Sequence, residues 1–449
     1  MTRAQGKAST NGSRPFVLGT LESFTVPAWL AAEDRLHGED WSSGRYFVEK
    51  AKRLEAAKLD FMFFLDTLAV RRRSDGSLAG ALTHAATAPQ HDPLPLISML
   101  AGTTAHIGLV ATASTTFYNP YQLARTFSTI DSLSGGRAGW NIVTSYERGE
   151  ALNFGVELPD HDERYDRADE FLDLAKQLWA AWDPDAVVAD IEAETYIDPD
   201  KVRSVDFVGR YYRSAGPLNT IRSPQGMPFL AQAGASPRGR DFAAKHAELT
   251  FVLPTDSFDD SKAARDDIRA RAQRFGRDPG EISVIYGFNV IFERDGWDQD
   301  VPPQVTDAQI GAVLEQMSQG FDIDLSAFPL DQALPTDLPP SGVTSMFERL
   351  IEMARRGLTL RESLAAFSKP GDSTSLRGTP EQVAEQMIGF VDEVGGDGIM
   401  ITNEMATNAA FLDDLTERLV PALREAGAIR HDYLPGATFR ESMRSLRGG

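Results

Sequence analysis

The sequence predicts an α/β fold in which eight parallel strands, each followed by a helix, close into a single (β/α)8 barrel. Three observations support this fold class: short apolar runs rich in β-branched and aromatic residues recur along the chain, most are followed by a helical pattern, and eight such units can be counted. Eight repeats of this kind fit a closed barrel better than an open sheet. The chain has 449 residues, of which 42% are hydrophobic, so one large domain with insertions or two domains would both fit its length.

The candidate strands share a short apolar run bounded by Gly, Pro or polar residues. They span residues 16–21, 61–66, 107–114, 139–145, 228–234, 249–253, 282–292 and 398–402. Apolar residues spaced three or four apart predict the helices between them. These span residues 46–58, 120–133, 164–182, 238–246, 261–275, 380–394 and 411–426. We therefore expect a barrel over residues 16–435, between a flexible N-terminal tail, 1–15, and a C-terminal tail, 436–449.

Two connections, 183–227 and 293–379, are too long for simple turns between elements. We expect both to be insertions at the carboxyl face of the barrel. We expect a hairpin around 207–212 in the first, and the second has helical patterns near 309–318 and 346–356. Long connections in compact domains usually cover active sites, although solvated or oligomerisation insertions fit equally well.

The composition excludes several classes of function. A net charge of −20 and a pI near 4.8 argue against nucleic-acid binding, which needs a basic surface. The chain has no Cys, which excludes disulfides and cysteine-ligated metals, and its His residues lack metal-binding spacing. It also has no Gly-x-Gly-x-x-Gly fingerprint and no Walker loop. Because no apolar run is long enough to span a membrane and no signal peptide is evident, we expect a cytoplasmic protein.

The other motifs can be placed relative to the stretch from Ser134 to Ser145. Gly135 and Gly136 allow the preceding helix to stop and reverse before the fourth strand. Residues two apart share one face of a strand, so Asn141 and Ser145 lie on the same face. A buried parallel strand is normally apolar on both faces. These polar groups therefore predict ligand binding at its carboxyl end, and the alternative is hydrogen bonding to neighbouring loops.

Polar residues also end the second and third strands. Asp66 follows the apolar run Phe-Met-Phe-Phe-Leu, so its carboxylate needs a partner or a ligand. It could instead be a helix N-cap or pair with Arg71. The third strand ends in small hydroxyl residues, including Thr112, which leave room for a planar ligand. Threonine is also simply a common strand residue.

A predicted anion site follows the fifth strand. Ser236 is placed to be the N-cap of a helix that begins with proline. Free backbone N–H groups at the helix start, the small residues Gly234 and Ala235, and the nearby Arg238 and Arg240 suit a phosphate. The alternative is an ordinary helix start.

The helix after the fourth strand begins with a polar cluster. Asp160 and Glu163 have the spacing of a capping box. His161 and Tyr165 are four residues apart, so they project from one face of the helix near the strand ends. They could orient or protonate a ligand, or they could serve only in capping and packing.

Three of these motifs, in this order, identify a family. The segments Ser134–Ser145, Asp160–Phe171 and Arg222–Arg240 resemble the flavin-dependent monooxygenases that include the nitrilotriacetate monooxygenase large component, the pristinamycin-synthesis oxidase and dibenzothiophene-sulfone monooxygenase. That family belongs to the bacterial-luciferase-like group. The resemblance covers nearly the whole chain and is weakest in 293–379 and before Phe16.

The resemblance implies a luciferase-like TIM barrel that binds FMN non-covalently. It implies an oxygenase component that receives reduced FMN from a separate NAD(P)H:flavin reductase. With O2, through a flavin hydroperoxide, this component would oxygenate a small organic substrate at or beside N or S. A homodimer or homotetramer is expected on the same ground. The implied catalytic residues are His161 and Asn141. The implied cofactor-binding residues are Asp66, Thr112, Asn141, His161, Tyr165, Ala235 and Ser236.

Two other interpretations stay open for the same barrel: a deazaflavin-dependent dehydrogenase and a non-catalytic flavin-binding protein. A hydrolase would need a metal cluster or a pair of catalytic carboxylates, for which no clear candidate is present. The substrate stays open among aminopolycarboxylates, sulfur compounds and long alkanes. Arg71, Arg72 and Arg73 could attract an anion, but a solvated loop fits them better. Aromatic residues that could line an apolar pocket are Phe24, Trp29, Trp41, Phe117 and Tyr118.

Overall fold

The computed structural model contains every predicted strand. It describes residues 14–26, 41–70, 72, 76–83, 85, 88–255, 257–293, 307–321, 323–338, 344–368, 374–402 and 408–446. Most of the predicted N-terminal tail lies outside these residues, as do Trp29, Arg71 and Arg73. The strands are β1 (Val17–Ser23), β2 (Phe61–Leu65), β3 (Gly108–Ser114), β4 (Ala138–Val143), β5 (Val187–Asp190), β6 (Thr195–Ile197), β7 (Phe207–Val208), β8 (Arg213–Ser214), β9 (Phe229–Gln232), β10 (Leu249–Val252), β11 (Ser283–Phe292), β12 (Ser375–Gly378) and β13 (Gly398–Ile401).

Eight parallel strands form a closed ring in the order β1-β2-β3-β4-β9-β10-β11-β13. The ring closes because β13 also pairs with β1, with Val17 opposite Gly398. The short strand β12, which the sequence did not predict, pairs with the outer part of β11 and with no other described strand. The predicted (β/α)8 barrel is therefore confirmed.

Helices surround the ring, and their longer members match the predictions closely. The helices are α1 (Arg45–Ala56), α2 (Ala79–Thr83), α3 (Pro93–Ala101), α4 (Pro120–Leu133), α5 (Arg148–Asn153), α6 (His161–Ala180), α7 (Pro237–His246), α8 (Phe258–Arg274), α9 (Asp307–Phe321), α10 (Thr344–Arg355), α11 (Leu360–Ser368), α12 (Pro380–Val394), α13 (Ala409–Asp414), α14 (Val420–Glu425) and α15 (Phe439–Ser445). A π-helical segment, Leu415–Leu419, joins α13 to α14. None of the described helices is both long and apolar enough to cross a membrane.

Alternation along the strands creates two buried cores. One set of side chains fills the inside of the ring, and the other set packs beneath the helices. Both faces of each strand are therefore buried, which explains the nearly continuous apolar runs of the sequence. The inner core includes Val17, Phe61, Phe63, Val110, Phe229, Ile285 and Met400.

The C-terminal segment, expected to be a tail, forms helix α15 across the amino ends of the strands. Phe439 and Met443 are 1% and 0% exposed and join the inner core. The N–H of Phe439 donates to the carbonyl of Gly136 at 2.8 Å, and any side chain at Gly108 would overlap the Phe439 ring. The local signal for this helix is short, consisting of a capping box at Thr438 and two apolar residues one turn apart.

The connection 183–227 carries two hairpins, β5–β6 and β7–β8, of which the sequence predicted the second. It follows the end of α6, so it begins beside the amino ends of the strands and not at the carboxyl face expected for it. Hairpin β7–β8 nevertheless reaches the carboxyl face, where the Tyr212 hydroxyl donates to the carbonyl of Thr115 at 3.3 Å. The carboxylate of Glu170 on α6 holds this hairpin by accepting three consecutive backbone N–H groups.

The connection 293–379 follows β11 at the carboxyl face. The two predicted helical pieces correspond to α9 and α10, and with α11 they enclose a separate apolar core that includes Phe321 and Leu350. Gly80 of α2 lies so close to Glu315 of α9 that a side chain there would overlap its carboxylate. The insertion therefore packs on the connection that follows β2.

Candidate functional site

Thr112 and Asn141 lie side by side on β3 and β4 and face the inside of the barrel. The Thr112 hydroxyl donates to the carbonyl of Phe64 at 2.7 Å, and the Asn141 Nδ2 group donates to the Thr112 oxygen at 2.8 Å. This chain fixes which way the amide points. The Asn141 Oδ1 atom is left buried and without a hydrogen-bond partner among the described residues. A buried, unpaired acceptor is costly, so this atom suits a ligand N–H group.

The hydroxyl groups of Thr116, after β3, and of Ser145, after β4, already have protein partners. Ser145 donates to the Ser114 oxygen at 2.9 Å, and Thr116 donates to the carbonyl of Thr144 at 2.5 Å. Ser145 also has a positive φ of 48°. The Ser145 hydroxyl therefore bonds to a neighbouring residue, which was the alternative to ligand binding.

Asp66 follows β2 directly, and none of the helices among the described residues has it as an N-cap. Its Oδ1 atom accepts a long hydrogen bond of 3.4 Å from Gln90 Nε2. Burial raises the pKa of Asp66 to about 8, and the carboxylates of Asp92 and Glu150 add to the rise, against a lowering by the N–H of Thr67. Near neutral pH the group is therefore largely protonated and can donate a hydrogen bond.

The loop between β9 and α7 has the geometry that the sequence predicted. Ser236 is the N-cap of α7 and accepts from the N–H of Gly239 at 3.0 Å. Side chains at Gly234 or Gly239 would overlap neighbouring atoms, because the loop, the first turn of α7 and the Tyr165 hydroxyl pack closely. No hydrogen bond among the described residues uses the backbone N–H groups of Ala235 and Ser236. These groups can therefore bind an anion at the positive end of the helix.

The two arginines of this loop are already engaged by carboxylates. Arg238 pairs with Asp166 at 3.0 Å and with Asp169 at 2.7 Å. Arg240 pairs with Asp267 at 3.2 Å and donates to the carbonyl of Ala235 at 3.1 Å. The suggestion that these two arginines assist anion binding stays a prediction, and the structure shows that both also have protein partners. The partners lie on α6 and α8, which a local motif does not reveal.

His161 and Tyr165 lie together at the start of α6, with ring centroids 5.2 Å apart. Tyr165 is buried against Phe242 of α7, whereas His161 is about half exposed and its Nδ1 atom lies 2.7 Å from the Asp162 carboxylate. The predicted capping box is wrong, because the Asp160 side chain caps no N–H group. Its expected partner, Glu163, instead pairs with Arg167, one turn later in the same helix.

The fold brings these residues into two neighbouring groups. In the first group, Asp66 follows β2, Thr112 lies on β3 and Asn141 lies on β4. These three strands are consecutive in the ring. The second group lies between β4 and β9, which are neighbours in the ring. It consists of His161 and Tyr165, after β4, and the loop between β9 and α7. A ligand with a planar ring and an anionic tail would fit this arrangement.

The sequence analysis missed two polar residues of this region. Gln232 ends β9, is 5% exposed and has an unpaired Oε1 atom among the described residues. It followed the same pattern as Asp66, a polar residue ending an apolar run, and could have been found. The role of Gln90 could not have been found from the sequence, because Gln90 reaches Asp66 from a separate loop that pairs with Thr25.

Comparison with known proteins decides the family. The family model for luciferase-like monooxygenases matches residues 18–398. The chain belongs to this family. It is 37% identical over 403 residues to N-acetyl-S-(2-succino)cysteine monooxygenase of Bacillus subtilis, which covers 88% of each chain. It is 36% identical to dibenzothiophene-sulfone monooxygenase of Rhodococcus erythropolis, which covers 90% of each chain.

A solved structure supports the same assignment. Riboflavin lyase, crystallised with modified FMN and riboflavin, aligns over 96% of each chain with a TM-score of 0.83 and 29% identity. The resemblance inferred from the three sequence motifs is therefore confirmed. The expectation that the protein is an enzyme is confirmed as well, because the family and the relatives above are monooxygenases.

Proposed function

We infer that the protein is the oxygenase component of a two-component system that uses reduced FMN, supplied by a separate NAD(P)H:flavin reductase, and O2. In the overall reaction, one oxygen atom enters a small organic substrate and the other leaves as water, while the flavin loses two electrons. The observation that carries this proposal is the unpaired Asn141 Oδ1 atom inside the barrel of a luciferase-like monooxygenase.

Two features of the described residues fit FMN. The Asn141 Oδ1 atom can accept from an N–H group of the flavin ring, with Thr112 holding the amide in the required orientation. The N–H groups of Ala235 and Ser236 can bind the phosphate. Tyr165 packs against the same helix turn through Gly239 and would border the phosphate.

Reduced FMN supplies the reaction with O2, and the protein supplies binding, orientation and protection from water. Asp66, protonated near neutral pH, can donate a hydrogen bond at the edge of the site. The His161 Nδ1 atom lies 2.7 Å from the Asp162 carboxylate, which can orient the ring. The insertion that packs on α2 would limit the access of water.

We propose that the substrate carries nitrogen or sulfur beside the oxidised position, with sulfur compounds first. N-acetyl-S-(2-succino)cysteine and dibenzothiophene sulfone, named in the relatives described above, both contain sulfur. This support comes from similarity and not from the geometry of the described residues.

The test is anaerobic titration with reduced FMN, followed by exposure to 18O2 with a panel of sulfur and nitrogen compounds. We expect saturable binding of reduced FMN and one 18O atom per oxidised product molecule. Preference for a reduced deazaflavin over reduced FMN would overturn the proposal in favour of the dehydrogenase. Flavin binding without 18O incorporation into any compound of the panel would favour the non-catalytic alternative.

A further inference from the structure

Asp169, on the third turn of α6, accepts hydrogen bonds from three basic side chains of a single helix, α7. Arg238 Nη2 lies 2.7 Å from its Oδ2 atom. Lys245 Nζ and His246 Nε2 lie 2.9 Å and 2.6 Å from its Oδ1 atom. Arg238 belongs to the first turn of α7 and His246 ends the helix, so one carboxylate joins both ends of α7 to α6.

A fourth residue fixes the role of His246 in this arrangement. The His246 side chain is 2% exposed, and its Nδ1 atom lies 2.9 Å from Lys176 Nζ of α6. An ammonium group can only donate, so His246 accepts at Nδ1 and donates from Nε2 to Asp169. Burial alone would raise the pKa of Asp169, but hydrogen bonds from His246, Arg238 and Lys245 outweigh it and lower the pKa.

The Asp169 contacts lie directly behind the loop assigned to the FMN phosphate. Arg238 follows the first residue of α7, and its guanidinium lies 5.5 Å from the centroid of the Tyr165 ring. Gly239, the next residue, touches the Tyr165 hydroxyl and Gly234. The bond between Asp169 and Arg238 therefore sets where the first turn of α7 stands relative to Tyr165.

We propose that Asp169 is a positioning residue for the flavin phosphate, which it does not contact itself. By holding Arg238 and the end of α7 against α6, it fixes the direction in which the N–H groups of Ala235 and Ser236 point. This inference rests on the proposed binding of FMN. It assigns Arg238 to the support of the helix and not to direct contact with the phosphate.

The test compares two ligands that differ only in the phosphate, FMN and riboflavin. Asp169→Asn removes the charge while keeping the shape of the side chain. We expect the Kd of the full-length protein for FMN to rise about tenfold, as for the loss of a charge-assisted hydrogen bond, while the Kd for riboflavin stays unchanged. An equal rise in the Kd for both ligands in a well-folded Asp169→Asn variant would overturn the assignment.

Two further variants sharpen the result. Asp241→Asn removes a carboxylate of the same helix that pairs with Arg271 at 2.7 Å on the side facing α8, and it should leave both Kd values unchanged. Arg238→Gln breaks the same link from the other side and should reproduce the selective loss if Asp169→Asn folds poorly. Selective loss in Arg238→Gln with no change in well-folded Asp169→Asn would mean that Arg238 contacts the phosphate directly, which would overturn the positioning role.

The wild-type protein separates this inference from the function on which it rests. If wild-type protein binds FMN no more tightly than riboflavin, the phosphate site and the role of Asp169 both fail. If wild-type protein prefers FMN and Asp169→Asn keeps that preference, only the role of Asp169 fails.

Discussion

The two ends of the barrel differ in how completely the protein pairs their buried polar groups, although Glu22 near the carboxyl end of β1 is paired with Lys50 at 2.6 Å. At the amino end, buried charges are paired: Arg430 with Asp60 at 2.6 Å and Arg440 with Glu248 at 2.6 Å. At the carboxyl end, Asp66 has no basic side chain within ion-pair distance among the described residues. The difference shows that one end of the same ring is completed by the protein itself, while the other retains groups that a ligand can complete.

Arg137 illustrates the amino end most fully. Its five guanidinium N–H groups make five hydrogen bonds, to the carbonyls of Ser134, Ile107, Ala101 and Thr104 and to the Thr104 hydroxyl. No donor remains for a ligand. Asn141, by contrast, uses its donor and keeps its acceptor unpaired.

The largest effect expected from this comparison is on stability at the amino end. Arg440→Ala removes the guanidinium that neutralises the buried Glu248 carboxylate, so we expect a loss of about 3–5 kcal/mol in the free energy of unfolding. Chemical denaturation measures it. The exposed pair of Arg418 and Glu381 provides the control, since Arg418→Ala should cost under about 1 kcal/mol. Equal losses in the two variants would contradict the comparison.

At the carboxyl end, Asn141→Ala should affect binding more than stability. Removing the acceptor for the flavin ring should cost about 1–3 kcal/mol, or about 5–150-fold in the Kd for reduced FMN. The free energy of unfolding should change by only about 1 kcal/mol, because the variant loses the hydrogen bond to Thr112 but also the cost of burying an unpaired acceptor. Anaerobic titration and denaturation of the same variant measure both quantities. A large loss of stability with unchanged affinity would reverse the roles of the two ends.

A smaller effect should appear in the pH dependence of stability. The folded pKa of Asp66 is raised to about 8, above its value in the unfolded chain, so the folded protein binds more protons between these two values. This group therefore makes stability fall as pH rises from about 4 to about 8, by at most about 1.4 kcal/mol per pH unit. Asp66→Asn should lack this contribution. Parallel slopes for wild type and variant across this range would show that Asp66 is ionised in the folded protein.

The smallest effect is expected for Arg240→Gln. Because Arg240 is partly exposed and paired with Asp267, its replacement should change the Kd for FMN by less than about twofold. The same titration as for Asn141→Ala measures it. A tenfold loss would show that this arginine leaves its carboxylate and contacts the phosphate.

The sequence predicted the parts of the molecule that local pattern determines. Each barrel strand is a short apolar run, and helix α4 begins and ends at the predicted residues, 120 and 133, because an Asn-Pro start and a Ser-Gly-Gly end bound it. The loop at Ser236 was likewise found from its own residues. These features depend on neighbours in the chain, which a sequence displays directly.

The features that the sequence did not predict depend on distant partners. Nothing near Arg238 indicates that Asp166 and Asp169 of another helix will engage it. The protonation of Asp66 likewise follows from burial and from carboxylates that other loops bring close. Helix α15 was not predicted because its apolar pattern is short. The helix is stabilised by packing against the amino end of the barrel, which the local sequence does not show.

The pairs that complete the amino end also bear on the order of folding. Arg430 and Asp60 are 370 residues apart in the chain, and Arg440 and Glu248 are 192 apart. Contacts between such distant residues form only after much of the chain has been ordered. Closing a long loop costs conformational entropy, and the contact stabilises the chain only once the loop is closed. Until then the rings of Phe61 and Phe229, which Phe439 covers in the folded protein, are open to other chains. Intermolecular association during refolding should therefore begin at this end of the barrel.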